Sequence, residues 1–355
     1  MADNEKVLIK GNEAIAEAAV RAGCRGYFGY PITPQNEVPE YMSRRLPEVG
    51  GVFVQAESEL ASINMVYGAT AAGVRAMTSS SSPGISLMQE GISYIAGAET
   101  PAVIMNMMRG GPGLGNIAPS QADYLQATKG GGHGDYNLIV FAPSTVQEIV
   151  DIVYNAFDVA FKYRNPVMIL ADGIMGQISE AVSMPPMRDP ADIPDWALGN
   201  GKNRAVIKSL RLSPDDALAA HNKHLQEKLA KIRKEVVQSE EYKCDDADYV
   251  VVAYGTPARI TKTVVDALRE EGLKVGLFRP ITIWPFPYDA LKALSDRMSK
   301  NSSSKIFVAE MAQNQLEQDV RMAVEGKVAI DSFNRLGGVN FDEEDLFDFI
   351  KKSVK

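Results

Sequence analysis

Cysteine is scarce in this 355-residue chain: there are two, Cys24 and Cys244, far apart and without C-x-x-C spacing. A protein-held iron–sulfur cluster normally takes four thiolates, so the chain is not expected to carry one alone, nor a structural zinc. Histidine is almost as rare. Of the three, His221 and His224 stand three apart on a charged stretch and are read as a solvated surface pair; no metal site is assigned. No apolar run reaches the roughly 18 residues that span a bilayer, so no membrane span is expected. The opening MADNEKVLIK lacks the basic-then-apolar order of an export signal, which makes the cytoplasm the expected compartment. A formal net charge of -8 also leaves no clustered Lys and Arg for a nucleic-acid partner.

What is present is alternation. GYFGYP (26–31), GVFVQA (51–56), VRAMTS (74–79), PAVIMNM (101–107), NLIVFAP (137–143) and PVMILAD (166–172) read as strands, separated by segments with 3.6-residue apolar spacing. That order predicts an α/β fold around a mostly parallel sheet over residues 1–182. Residues 183–245 break the pattern with a proline-rich stretch and then a long charged helix, opened by Ser213 and Pro214. Its narrow apolar stripe, Leu218, Leu225, Leu229, Ile232 and Val236, predicts a packing arm. From 246 to 355 a second, smaller α/β block follows, beginning with YVVVAYG (249–255).

Four loops follow strands of the first block, where open α/β sheets place ligands. In YPITPQN (30–36), Pro31 and Pro34 stiffen the backbone around Thr33, whose hydroxyl suits a ligand carboxylate or carbonyl; a plain turn with a capping residue is the alternative. Arg109 opens RGGPGLG (109–115), either as a carboxylate clamp or as half of an ion pair. TSSSSPG (78–84) offers hydroxyls and a helix start. The fourth loop, QAESE (55–59), carries Glu57 and Glu59, and only Glu59 shares a helical face with Ile63 and Val66. A carboxylate there either favours the helix N-terminus or serves a ligand. ADG (171–173) with GN (199–200) imitates a magnesium-diphosphate motif, but four prolines between them rule out the helix that motif needs.

GNEAIAEAA, YPITPQNE, QAESELASINMVYGA, SSSSPGISLMQEGISY, RGGPGLG with PSQADYLQATKGGGHGD, and LFRPITIWPFP together resemble the α subunit of 2-oxoacid:ferredoxin oxidoreductases, nearest to the branched-chain group that uses 3-methyl-2-oxobutanoate. The resemblance implies a thiamine-diphosphate pyrimidine-binding domain followed by a transketolase C-terminal-like domain. It implies that Glu59 hydrogen-bonds the aminopyrimidine, and that Thr33 and Arg109 contact the 2-oxoacid. Tyr30, Pro31 and Ile32 would line the cofactor cleft. The reaction implied is CoA-dependent oxidative decarboxylation, with coenzyme A as co-substrate and ferredoxin as acceptor. Thiamine diphosphate would be shared with a β subunit. Mg2+ and 4Fe–4S clusters would sit on partners, which include a γ and a ferredoxin-like δ subunit. Alternatives are a pyruvate- or 2-oxoglutarate-specific member, the β subunit of a lipoamide-dependent dehydrogenase, and a non-catalytic scaffold.

Overall fold

VIMNMM (Val103–Met108) and VMILAD (Val167–Asp172) are buried along their whole length, as strands covered on both faces must be. In the computed structural model, which describes residues 6–201 and 215–354, they are neighbours in a seven-stranded sheet. The order across it is Thr282–Trp284, Ile139–Phe141, Val167–Asp172, Val103–Met108, Ala76–Ser80, Gly26–Gly29 and Val52–Gln55. All pairs are parallel except the first, an antiparallel strand that the second block lends to this sheet.

The helices follow from local sequence. Ala-rich Gly11–Arg21 is buried nearly all round and packs against Glu37–Glu48 and Val146–Tyr163. Thr145 caps the last of these by accepting from the Glu148 N–H at 3.0 Å. Ser58 caps Glu59–Ala71 in the same way, through the Ala61 N–H at 3.2 Å. That helix packs against Ser82–Gly97, whose Pro83 occupies a first-turn position where no N–H is needed.

The long helix is observed over Asp215–Glu235; the expected start at Ser213 and Pro214 lies outside the described residues. Leu225, Leu229, Ile232 and Val236 are buried, whereas Leu218 is 45% exposed, so the stripe docks only from its second member onward. Polar contacts explain the rest of the seat. Lys228 Nζ reaches Glu99 Oε1 and the Arg164 carbonyl, each at 3.0 Å. His224 meets Glu99 at 3.0 Å and His221 meets the Gly97 carbonyl at 2.7 Å. His221 is thus a half-buried docking contact, whereas His224 stays exposed, as expected, while it meets Glu99.

The second sheet runs Ala329–Asn334, Lys305–Glu310, Tyr249–Val252, Val275–Pro280 and Ser239–Tyr242, with the last strand antiparallel. Its edge strand therefore comes from the stretch between the two blocks. Between the sheets lies a seam of satisfied polar groups. Gln121 exchanges two bonds with the Met311 backbone, both at 2.9 Å, and donates to the Tyr254 carbonyl at 3.0 Å. Buried Arg279 forks onto Glu148 at 2.6 and 2.8 Å and reaches Glu240 at 2.8 Å. Asp172 of the ADG stretch caps Gly173–Gln177 and accepts from the Thr256 hydroxyl at 2.9 Å. Burial raises its carboxyl above the usual range, and its role is structural.

Candidate active site

Strand order decides what the four loops can do. Val103–Met108, Ala76–Ser80, Gly26–Gly29 and Val52–Gln55 are consecutive in the sheet, so the loops after their C-terminal ends meet. They enclose an open cleft of about 460 Å³ lined by Tyr30, Pro31, Ile32, Thr33, Glu59 and Arg109, with Asn36, Pro83, Gly84, Leu87 and Leu114 completing the wall. All six residues singled out from the sequence are thus brought together.

The YPITP turn is pinned from beneath. The Tyr27 and Ser79 hydroxyls lie 2.7 Å apart, and the Ser79 hydroxyl donates to Gln35 Oε1 at 2.5 Å. Asn12 and Gln177 both donate to the Pro34 carbonyl, at 2.8 and 3.1 Å. Thr33 consequently stands exposed on a fixed backbone.

Arg109 is 6% exposed. Its Nη1 donates to the Thr33 carbonyl at 2.9 Å and its Nη2 to the Leu114 carbonyl at 3.0 Å, while Nε is buried without a partner. Among the described residues no carboxylate pairs with it, so the ion-pair alternative does not hold. A buried cation left uncompensated is costly, and a ligand anion would relieve that cost.

Glu59 is 6% exposed at the first turn of its helix, and among the described residues no donor bonds its carboxylate. Gly84 explains how it fits: a Cβ there would lie 2.6 Å from Glu59 Oε1 and 2.0 Å from Ser80 Oγ. Only glycine lets the start of Ser82–Gly97 come so close. Glu57, by contrast, is exposed and lines no part of the cleft.

The serine run divides by role. Ser79 braces the turn, and Ser82 Oγ accepts from the Arg109 N–H at 3.0 Å and donates to Asp123 at 2.6 Å. Ser80 and Ser81 hydroxyl oxygens are buried without partners. Asp123, which also accepts from Asn106 at 2.9 Å, was not evident from sequence. It lies at the far end of the loop after Val103–Met108, well beyond RGGPGLG, and burial raises its carboxyl above the usual range. Through Ser82 it fixes the backbone of Arg109.

An acceptor without a donor and a cation without an anion, both lining one cleft with apolar walls, fit a ligand with a donor-bearing ring and a substrate with a carboxylate. The residues present therefore fit the aminopyrimidine end of thiamine diphosphate. One comparison concerns the fold and the other defines the class. Over 98% of both chains the fold matches a split gene transketolase, an inactive beta4 tetramer, with a TM-score of 0.61 at 14% identity, which concerns fold alone. Residues 17–247 match the family described as pyruvate flavodoxin/ferredoxin oxidoreductase, thiamine diP-bdg, and residues 247–346 match pyruvate:ferredoxin oxidoreductase core domain II.

This chain belongs to the 2-oxoacid:ferredoxin oxidoreductase family. It is 48% identical to ketoisovalerate oxidoreductase subunit VorB of Methanothermobacter thermautotrophicus, over 97% of each chain. It is 36% identical to 2-oxoglutarate synthase subunit KorA of the same organism, over 98% of this chain and 99% of that one. A 2-oxoglutarate:ferredoxin oxidoreductase from Magnetococcus marinus, solved with 2-oxoglutarate, coenzyme A and succinyl-CoA bound, superposes with a TM-score of 0.88 at 25% identity. The match covers 99% of this chain, which spans 66% of that one.

Proposed function

We propose that this chain is the α-type subunit of a thiamine-diphosphate-dependent 2-oxoacid:ferredoxin oxidoreductase that uses a branched-chain substrate such as 3-methyl-2-oxobutanoate. The overall reaction joins 2-oxoacid, CoA and two oxidised ferredoxins to give acyl-CoA, CO2, two reduced ferredoxins and a proton. The observation that carries this reading is the pairing, in one cleft, of buried Glu59 without a protein donor and buried Arg109 without a carboxylate. The 48% identity to a ketoisovalerate oxidoreductase subunit, against 36% to a 2-oxoglutarate synthase subunit, supports the substrate class.

Bound thiamine diphosphate supplies a nucleophilic carbon and an acceptor for the electron pair released on decarboxylation. Glu59 accepts a hydrogen bond from the aminopyrimidine and holds or releases that proton at its carboxylate. Tyr30, Pro31 and Ile32 wall the ring and keep water from it. Arg109 grips the substrate carboxylate, and the Thr33 hydroxyl donates to the carboxylate or oxo oxygen. We assign the pyrimidine-binding domain to residues 1–182 and the transketolase C-terminal-like domain to 246–355, joined by 183–245.

The remaining apparatus falls to partner chains: a β subunit for the diphosphate and Mg2+, and γ and ferredoxin-like δ subunits, with 4Fe–4S clusters on partners. Exposed Leu60, Leu87, Leu114 and Ile117 are consistent with a partner covering this face. The complex would work in the cytoplasm. No helix of the described residues is long and apolar enough to cross a membrane.

The test is anaerobic purification of the complex through this chain, followed by CoA-dependent viologen reduction with 3-methyl-2-oxobutanoate, pyruvate and 2-oxoglutarate. Dye reduction, fastest with the branched-chain acid, is the expected result. Lipoamide-dependent NAD reduction instead would identify a dehydrogenase subunit.

A further inference from the structure

The same guanidinium that is free to receive a carboxylate also holds the Leu114 carbonyl, at 3.0 Å. Leu114 itself lines the cleft and is 80% exposed. Its loop is not loose. The Asn116 N–H donates to the Gly110 carbonyl at 2.9 Å, and the Gly110 N–H donates to the Ala118 carbonyl at 2.8 Å. Asn116 Nδ2 ties the turn to the Gly337 carbonyl of the second domain at 2.8 Å. Gly115, at φ +60°, seals it, since a Cβ there would meet the Gly110 carbonyl oxygen at 1.6 Å. Leu114 is therefore held beside Arg109 on a defined backbone.

Charge narrows the ligand further. Arg109 is the one cation lining the cleft among the described residues. After it pairs with the carboxylate next to the oxo group, this chain offers no second cation for a dicarboxylic substrate. Ile32, Leu87 and Leu114 offer apolar surface instead.

We infer that Leu114 is a specificity-determining residue: its side chain packs against the alkyl group of a monocarboxylic 2-oxoacid whose carboxylate Arg109 holds. This inference rests on the 2-oxoacid reading of the cleft. The role follows from tethering, because Arg109 holds the Leu114 carbonyl while the Leu114 side chain lines the same cleft.

The experiment compares complexes carrying wild-type chain, Leu114→Ala and Leu114→Arg, by CoA-dependent viologen reduction with 3-methyl-2-oxobutanoate, pyruvate and 2-oxoglutarate. Thermal melting and the subunit content of each purified complex serve as controls for folding and assembly, and the ratios of kcat/KM between substrates are compared within each complex. Leu114→Ala is expected to lower kcat/KM for 3-methyl-2-oxobutanoate about tenfold and for pyruvate by less than about threefold, since pyruvate presents only a methyl group. Leu114→Arg is expected to raise the 2-oxoglutarate to 3-methyl-2-oxobutanoate ratio of kcat/KM by about tenfold or more. Wild-type activity with ratios unchanged in both variants overturns the inference and leaves the 2-oxoacid reading intact. A wild-type preference for 2-oxoglutarate overturns the charge argument. A wild-type complex inactive with all three acids overturns the 2-oxoacid reading, and the inference with it.

Discussion

The two sheets share a βα plan but use the C-terminal ends of their strands differently. In the first sheet, the ends at Gly29, Gln55, Ser80 and Met108 carry loops that leave Glu59 and Arg109 without partners of opposite charge among the described residues. In the second, the residues following Val252 and Glu310 meet the first domain through Thr256 and Met311, and every polar group named there is matched. Glu310 itself accepts from the Gln315, Leu316 and Glu317 N–H groups at 3.1, 3.0 and 3.3 Å, closing the start of Leu316–Val324. A docking surface must satisfy its buried groups within the protein, whereas a ligand site keeps some unsatisfied until the ligand arrives.

Substituting each kind of group tests that contrast. The largest effect is expected from Glu59→Gln, which keeps the shape and removes the proton-carrying acceptor: kcat should fall by about a hundredfold or more. Its melting temperature should stay near wild type, since the carboxylate makes no internal hydrogen bond. Arg109→Lys retains the charge but loses the fork. It should lower kcat/KM for the 2-oxoacid by about ten- to a hundredfold, read in the same viologen assay.

At the seam and arm the order reverses, with stability falling and substrate handling spared. Lys228→Ala removes the ion pair that buried Glu99 makes at 3.0 Å, and should cost about 3 kcal/mol in urea unfolding. The last effect, of similar size or smaller, concerns pH. Burial pushes the Glu310 carboxyl from an ordinary 4.5 up to about 7, against the three N–H bonds and with the Glu317 charge adding to the rise. Between those values the folded protein holds a proton that the unfolded chain has released, so stability should decline as pH rises from about 4.5 to about 7 and then level off. The completed shift corresponds to about 3 kcal/mol at most, and Glu310→Gln should flatten that part of the profile in urea titrations at several pH values.

Much of the site was legible because its parts are short, local and chemically marked. Proline on both sides of Thr33, glycine after Arg109 and an acid on an apolar helical face are visible without coordinates. What could not be read is adjacency. Gly84 matters because of a carboxylate 25 positions earlier, and Asp123 because Ser82 carries its influence to Arg109. Thr282–Trp284 gives no periodic signal in three residues, and only pairing with Ile139–Phe141 makes it a strand of the first sheet. The contacts that His221 and His224 make could not be read because Gly97 and Glu99, which receive them, are more than a hundred residues away in the chain.

The sequence by itself determined the α/β alternation, the long arm, the four strand-end loops and the residues in them with chemistry to offer. These rest on periodicity, backbone stiffness and side-chain type, all properties of a few consecutive residues. The tertiary structure alone decided that the four loops converge on one cleft, that Arg109 faces Thr33 and Leu114 rather than a carboxylate, and that Asp172 is spent on the seam. Strand order and domain docking set those outcomes, because the burial and hydrogen bonding that choose them join segments distant in the chain.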